Sequence, residues 1–289
     1  MIGELVNIKT ADGMRLNGIL HAPANNSAPH DAIDAVVCLH GVSSNFYASA
    51  LLEHIATSFV DHGIAALRVN TRGHDSIVLT KNDRGPCRQG SAYETVDQCR
   101  YDIRAWIDFL QERNFRKVAV LGHSLGAIKA LYSQAAEPHE SVRCVIAASP
   151  PRLSYAAFRV GEGSADFFTS VREAEEWLKA DQPERLIQVK FPFPMLITAA
   201  GYIDKYGPNE RYNLLNFVDQ LKIPTLFVFG TLELERGGIA FAGVPEAIQR
   251  QIKPEQRIAI QTVAGGDHLY TGVYNPLLEQ IQAWLSQLG

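Results

Sequence analysis

The stretch KVAVLGHSLGAIKA, residues 117–130, runs from apolar residues into Gly122-His123-Ser124-Leu125-Gly126 and then into helix formers. This order predicts a strand, a sharp turn and a helix. In that setting G-x-S-x-G reads as a nucleophile elbow: two glycines clear side chains where strand and helix crowd together, and Ser124 sits in a strained turn with its hydroxyl exposed. Chance supplies about 0.1 such pentapeptides in a chain of this length and ordinary composition, so the flanking strand and helix carry most of the weight. A dinucleotide-binding turn occupies the same strand-to-helix position, but G-x-G-x-x-G needs glycine where this chain has Ser124. No cofactor is expected.

Upstream, AVVCLHG (35–41) is a continuous apolar run, the pattern of a strand buried on both faces, and IAALRV (64–69) reads as a further strand. Between them, apolar residues at 51, 52, 55, 56, 59 and 60 form a helical stripe over 49–62 that Gly63 stops. Residues 4–9 and 14–21 flank Ala11-Asp12-Gly13 and predict an opening antiparallel hairpin, followed by a polar loop over 24–34. A helix is predicted over 94–113, whereas 76–92 reads as a polar, irregular connection. Beyond the elbow helix (127–136), a buried strand is expected over 142–148. The alternation resumes with TLFVFG (225–230), a loop over 231–243, a short helix over 245–252, RIAIQTV (257–263) and a final helix over 276–288. Repeated β-α units predict an α/β fold with a mostly parallel sheet flanked by helices and its ligands at the strand C-termini. Between 152 and 217 the alternation stops and aromatic residues accumulate. That segment is expected to be an inserted, mostly helical cap on a core made of 1–151 and 218–289.

With 289 residues, 46% of them hydrophobic, the chain is large enough to bury one sizeable core. A net charge of −4 without a run of Lys or Arg leaves no electrostatic footprint for nucleic acid or an anionic membrane, so a small molecule is the expected partner. Neither an apolar segment of signal-peptide length at the start nor a long apolar run elsewhere is present, which predicts a cytoplasmic protein without stable membrane insertion. Cys38, Cys87, Cys99 and Cys144 form no C-x-x-C pair and are expected as free thiols, with no metal site.

A serine hydroxyl is a poor nucleophile at neutral pH and needs a base, which in turn needs a group to fix its tautomer. Among nine histidines, His268 lies in the loop after the last strand behind Gly265-Gly266-Asp267, where the backbone can bring its ring over the strand edge. His123 adjoins the serine but points elsewhere from an elbow, and His40 reads as a loop brace. The orienting acid should follow TLFVFG; Glu233 is the first carboxylate there and Glu235 the competitor. The backbone N–H of Leu125, at a helix N-terminus, and that of Val42, after the 35–41 strand, are the expected oxyanion donors. In NTRGHD, Arg72 and Asp75 are expected to tie loops together, with an acidic substrate group as the other role for Arg72. The order Ser124, Glu233, His268 is the Ser…Asp/Glu…His order of α/β-hydrolases.

LHG at 39–41, NTRGHD at 70–75, GHSLG at 122–126, FGTLELE at 229–235 and GGDHLY at 265–270 together resemble the α/β-hydrolase superfamily over nearly the whole chain. The resemblance implies an eight-strand core with an inserted cap and hydrolysis through an acyl-enzyme on Ser124. Most relatives carry Asp at the position of Glu233. QCRYDIRAWIDFLQERN (98–114) and GYIDKYGPNERYNLLNF (201–217) are similar to a group that includes fungal siderophore esterases. The expected reaction is cleavage of a small or medium carboxylic ester. The same residues serve thioesters, amides, carbon–carbon bond hydrolysis and acyl transfer to an alcohol, and a non-catalytic ligand-binding protein is the reading from another class.

Overall fold

The computed structural model describes residues 2–24 and 30–288; five residues of the expected 24–34 loop, 25–29, lie outside them. An opening antiparallel hairpin, β1 (Glu4–Lys9) and β2 (Arg15–His21), forms one edge of the main sheet. Then come β3 (Ala35–Leu39), α1 (Ala50–Asp61), β4 (Ala65–Val69), a two-stranded ribbon of β5 (Val78–Asn82) and β6 (Gly85–Gln89), α2 (Cys99–Glu112), β7 (Val118–His123), α3 (Leu125–Ala136) and β8 (Val142–Ala148). The remaining core elements are β11 (Thr225–Gly230), α7 (Thr231–Arg236), α8 (Val244–Gln249), β12 (Ile258–Val263) and α9 (Tyr274–Leu285).

Eight strands pair in the order β1-β2-β4-β3-β7-β8-β11-β12, parallel from β4 onward. All five residues of β3 are buried because helices cover both faces. Val37 and Leu39 pack with Trp106 of α2 and Ile128 of α3, while Val36 and Cys38 pack with Phe59 of α1 and Ile281 of α9. The alternating faces of a strand thus feed two separate apolar layers. Ser49 caps α1, its side chain accepting from the Leu52 N–H.

Two local expectations are corrected. Residues 76–92 hold the β5–β6 ribbon, whose polar strands VLTKN and GPCRQ lack the apolar alternation that marks a half-buried strand. The expected loop at 231–243 begins with helix α7, directly after β11. The 152–217 segment is mostly helical, with α4 (Tyr155–Phe158), α5 (Ser164–Lys179) and α6 (Ala199–Tyr206), and between α5 and α6 it also holds a hairpin of β9 (Leu186–Val189) and β10 (Met195–Thr198). Its strands are too short for a periodic signal, and the prolines between them mask the pairing.

All four cysteines are free, and burial pushes the thiols of Cys38 and Cys144 up to about 12. Among the described residues, no helix is long and apolar enough to cross a membrane, and no group of three or more His, Cys, Asp or Glu side chains could hold a metal ion.

Candidate active site

Ser124 stands at the end of β7 with φ 57° and ψ −124°, a conformation in the left-handed half of backbone space that side chains other than glycine rarely adopt. The turn is held by its N–H donating to the Ala148 carbonyl of the neighbouring strand at 3.0 Å. The flanking glycines are needed for space: a Cβ on Gly122 would stand 2.1 Å from the Gly126 carbonyl oxygen, and one on Gly126 would stand 2.5 Å from the carbonyls of Leu39 and His40. Helix α3 can start this close to β3 and β7 only because neither position carries a side chain.

The fold brings three sequence-distant residues together around that turn. Ser124 Oγ lies 3.0 Å from His268 Nε2, and His268 Nδ1 meets Glu233 Oε1 in a short contact. A carboxylate facing Nδ1 fixes the tautomer, with the proton on Nδ1 and Nε2 left to accept from the serine hydroxyl. Glu233 is in the first turn of α7, its N–H donating to the Gly266 carbonyl at 3.1 Å, so the loop carrying His268 and the helix carrying the acid are joined by backbone as well. The Glu233 side chain is 1% exposed and that of His268 39%. Glu235 is exposed.

Val42 and Leu125 both line the cavity above Ser124. His40, buried beneath Val42, donates from Nδ1 to the Gly41 carbonyl at 2.7 Å and accepts the Thr71 N–H at Nε2 at 3.2 Å. Burial, with Lys129 nearby, holds its ring neutral, down to about 3. In a planar trans peptide the carbonyl and the following N–H point in opposite directions, so pinning the Gly41 carbonyl also fixes the direction of the Val42 N–H. Arg72 is tied to Asp12 and Asp102 by side-chain hydrogen bonds, and Asp75 to Asn45 and His74. Neither Arg72 nor Asp75 lines the cavity.

The cavity has a volume of about 900 Å³. The 152–217 segment contributes Phe158, Phe191, Phe193 and Tyr206, and the stretch after α7 contributes Ile239 and Phe241, whose ring is 5.3 Å from that of His268. Exposed Glu162, Asp166, Lys190 and Arg236 put charges of both signs along its lining. Sequence reasoning missed Ser149, whose Oγ donates to Glu233 Oε2 at 2.7 Å. A lone serine after a buried strand carries no local signal for such a contact. A size and apolar lining of this kind suit an organic ligand of moderate size, and a serine, imidazole and carboxylate in series suit proton transfer from a hydroxyl nucleophile.

Residues 36–278 match the model of the Alpha/beta hydrolase family. No curated protein matches the sequence. Among solved structures, the chain is similar to Est1E from Butyrivibrio proteoclasticus with ferulic acid bound, at 18% identity and a TM-score of 0.68 over 97% of this chain and 98% of that one. It is also similar to the alpha/beta hydrolase GrgF from Penicillium sp. sh18, at 17% identity and TM-score 0.70 over 99% of each chain. The Pyrococcus furiosus esterase Pf2001 shares 18% identity at TM-score 0.64, over 99% of this chain and 91% of that one. Identities this low show a shared fold.

Proposed function

The chain belongs to the alpha/beta hydrolase family, and from that premise we propose that it is a serine hydrolase cleaving a small or medium carboxylic ester. The observation that carries the reading is the continuous contact from Ser124 Oγ through His268 to Glu233 beside a large apolar cavity. Ser124 Oγ attacks the ester carbonyl carbon while His268 Nε2 takes the hydroxyl proton. Glu233 stays ionised and stabilises the imidazolium. The negative charge that develops on the carbonyl oxygen is received by the backbone N–H groups of Val42 and Leu125, the latter at the N-terminus of α3. Collapse breaks the bond to the alkoxy group, which leaves as an alcohol with the proton from His268, and Ser124 is left acylated. Water, deprotonated by His268, then attacks the acyl-enzyme and releases the acid.

The 152–217 segment acts as a cap in this reading, since its aromatic residues line the cavity that Ser124 and His268 also line. Aromatic walls suit an apolar or aryl portion of the ester. The deciding experiment is labelling with a fluorophosphonate and mapping the adduct by mass spectrometry, alongside turnover of p-nitrophenyl esters of increasing acyl length. Labelling at Ser124 with ester turnover is expected; an unlabelled Ser124 in folded protein removes the mechanism, and turnover of thioesters or amides in preference to esters reassigns the substrate.

A further inference from the structure

Glu233 is buried, yet only one of its oxygens faces His268. The other, Oε2, lies 2.7 Å from Oγ of Ser149, a fully buried residue directly after β8. A carboxylate only accepts, so the single hydroxyl proton of Ser149 goes to Glu233. Tyr270 Oη stands 2.9 Å from Ser149 Oγ and 3.0 Å from the Val228 carbonyl oxygen. That carbonyl already accepts the Ser149 N–H at 2.8 Å. The carbonyl has two lone pairs and also takes the Tyr270 hydroxyl; with the Ser149 proton on the carboxylate, the 2.9 Å contact is a hydrogen bond only with Tyr270 as donor, so its proton is shared between the Val228 carbonyl and the serine oxygen. The resulting chain runs from Tyr270 to Ser149 to Glu233, meeting His268 at the far carboxylate oxygen.

We propose that Ser149, backed by Tyr270, is a positioning residue for the acid: it holds Glu233 Oε2 so that Oε1 stays on His268 Nδ1. The inference rests on reading Ser124, His268 and Glu233 as a triad. Glutamate has one more rotatable bond than aspartate, and a buried carboxylate with a single partner is both mobile and poorly satisfied. Ser149 supplies the second partner from a different strand than the one that carries the acid. Its φ of 50° is a costly conformation for a non-glycine residue, as found where surrounding structure forces a functional geometry. Tyr270 lies two residues beyond His268, so the same hydroxyl chain ties the base loop to the acid.

Three other titratable groups face this pair. His123 approaches from β7, its ring centroid 4.8 Å from that of His268. Asp267 lies beside the base with its carboxylate taken up by the Leu269 and Thr271 N–H groups. Tyr270 is driven well above the usual phenol range by burial and remains a donor.

Ser149→Ala keeps the Cβ and the backbone demands while deleting the hydroxyl. In the full-length protein acting on p-nitrophenyl acetate, kcat is expected to fall about tenfold or more, with KM changed by less than about twofold. Against a Glu233→Gln background the same substitution should cost less than about twofold, since its target charge is gone. By NMR, the His268 Nδ1 proton should exchange faster with water in Ser149→Ala than in the native protein. Equal losses in both backgrounds, or an Nδ1 proton as protected as the native one, overturn the proposal. Tyr270→Phe keeps the ring packing and serves where Ser149→Ala does not fold. It should lower kcat and speed exchange of the Nδ1 proton in the same directions by less, and native values for both overturn the proposal as well. A folded native protein without Ser124 labelling or ester turnover defeats the triad reading instead, and the NMR comparison then decides the Ser149 contact by itself.

Discussion

His123 Nε2 lies 2.6 Å from the carbonyl oxygen of His268, so the residue before Ser124 holds the backbone of His268. Burial, with His268 nearby, keeps the His123 ring neutral, down to about 3. A carbonyl can only accept, so the proton of His123 resides on Nε2. The end of β7 and the loop after β12, which are not neighbours in the sheet, are joined here by one side-chain donor.

Removing that donor should loosen the base without touching its imidazole. His123→Ala is expected to lower kcat about tenfold, the loss of one buried hydrogen bond and its positioning. His123→Gln, which restores an N–H donor, should recover part of it. Steady-state kinetics on a p-nitrophenyl ester would check this; equal kcat in the two variants would show that the bond has no catalytic consequence.

The two candidate acids should separate cleanly. Glu233→Ala is expected to reduce kcat by about 10³-fold or more, because the imidazolium loses its buried partner. Glu235→Ala, at an exposed position, should change kcat by less than about twofold. The reverse ranking of these two variants would reassign the acid.

The reason spacing alone left these two residues open is geometric. Glu233 and Glu235 both follow β11, and only the helical conformation of α7 decides between them: residues two apart on a helix point to nearly opposite sides. Ser124 and His268 were more legible, since an elbow is written in consecutive residues and the base in a glycine-rich loop at the end of the last strand. β3 announced itself as an unbroken apolar run, and β4, β7 and β8 as predominantly apolar ones, because helices cover both faces of the sheet. What sequence could not reveal were contacts made by unremarkable polar residues across distant elements: Ser149 on Glu233, and Glu94 with Lys129 and Lys205. Nothing local distinguishes Lys129 from a solvated helix lysine until α2, α6 and the 70–75 loop close over it.

The buried histidines set a pH window for stability. His40 and His123 are held near 3 by burial, against 6.5 for an ordinary histidine, so between these values the unfolded chain takes up protons that the folded chain refuses. Stability should therefore be complete above about 6.5 and fall with decreasing pH, each ring contributing a slope of about 1.4 kcal/mol per pH unit. Glu94 adds a separate loss: Lys129 and Lys205 overcome burial and hold it down to about 2 from 4.5, so its contribution disappears only below about 4.5. Urea unfolding at pH 7, 6 and 5 would measure the histidine window, and His40→Asn should make the slope shallower by about one ring's share. A native slope retained in that variant would remove His40 from the account.

The Glu94 cluster predicts opposite effects for its members. One carboxylate is paired with Lys129 of α3, and its other oxygen is 3.6 Å from Lys205 of α6, with all three side chains at most 1% exposed. Lys129 Nζ also donates to Thr71 Oγ1 at 3.0 Å, whereas Lys205 Nζ stands at the looser 3.6 Å from Glu94. Two ammonium groups thus share one carboxylate, and burial pushes the Lys205 amine down despite Glu94. Glu94→Gln removes the carboxylate that both cations share and should destabilise the protein by about 3–5 kcal/mol. Lys205→Met deletes the excess cation and retains most of the side-chain volume, so it should be neutral or stabilising by about 1–4 kcal/mol. Urea unfolding at pH 7 reads both, and a Lys205→Met protein as damaged as Glu94→Gln would mean that the second lysine is a required partner. Because Lys205 belongs to the 152–217 segment and Lys129 to the helix after Ser124, the comparison also measures how strongly this ion cluster fastens α6 to α3.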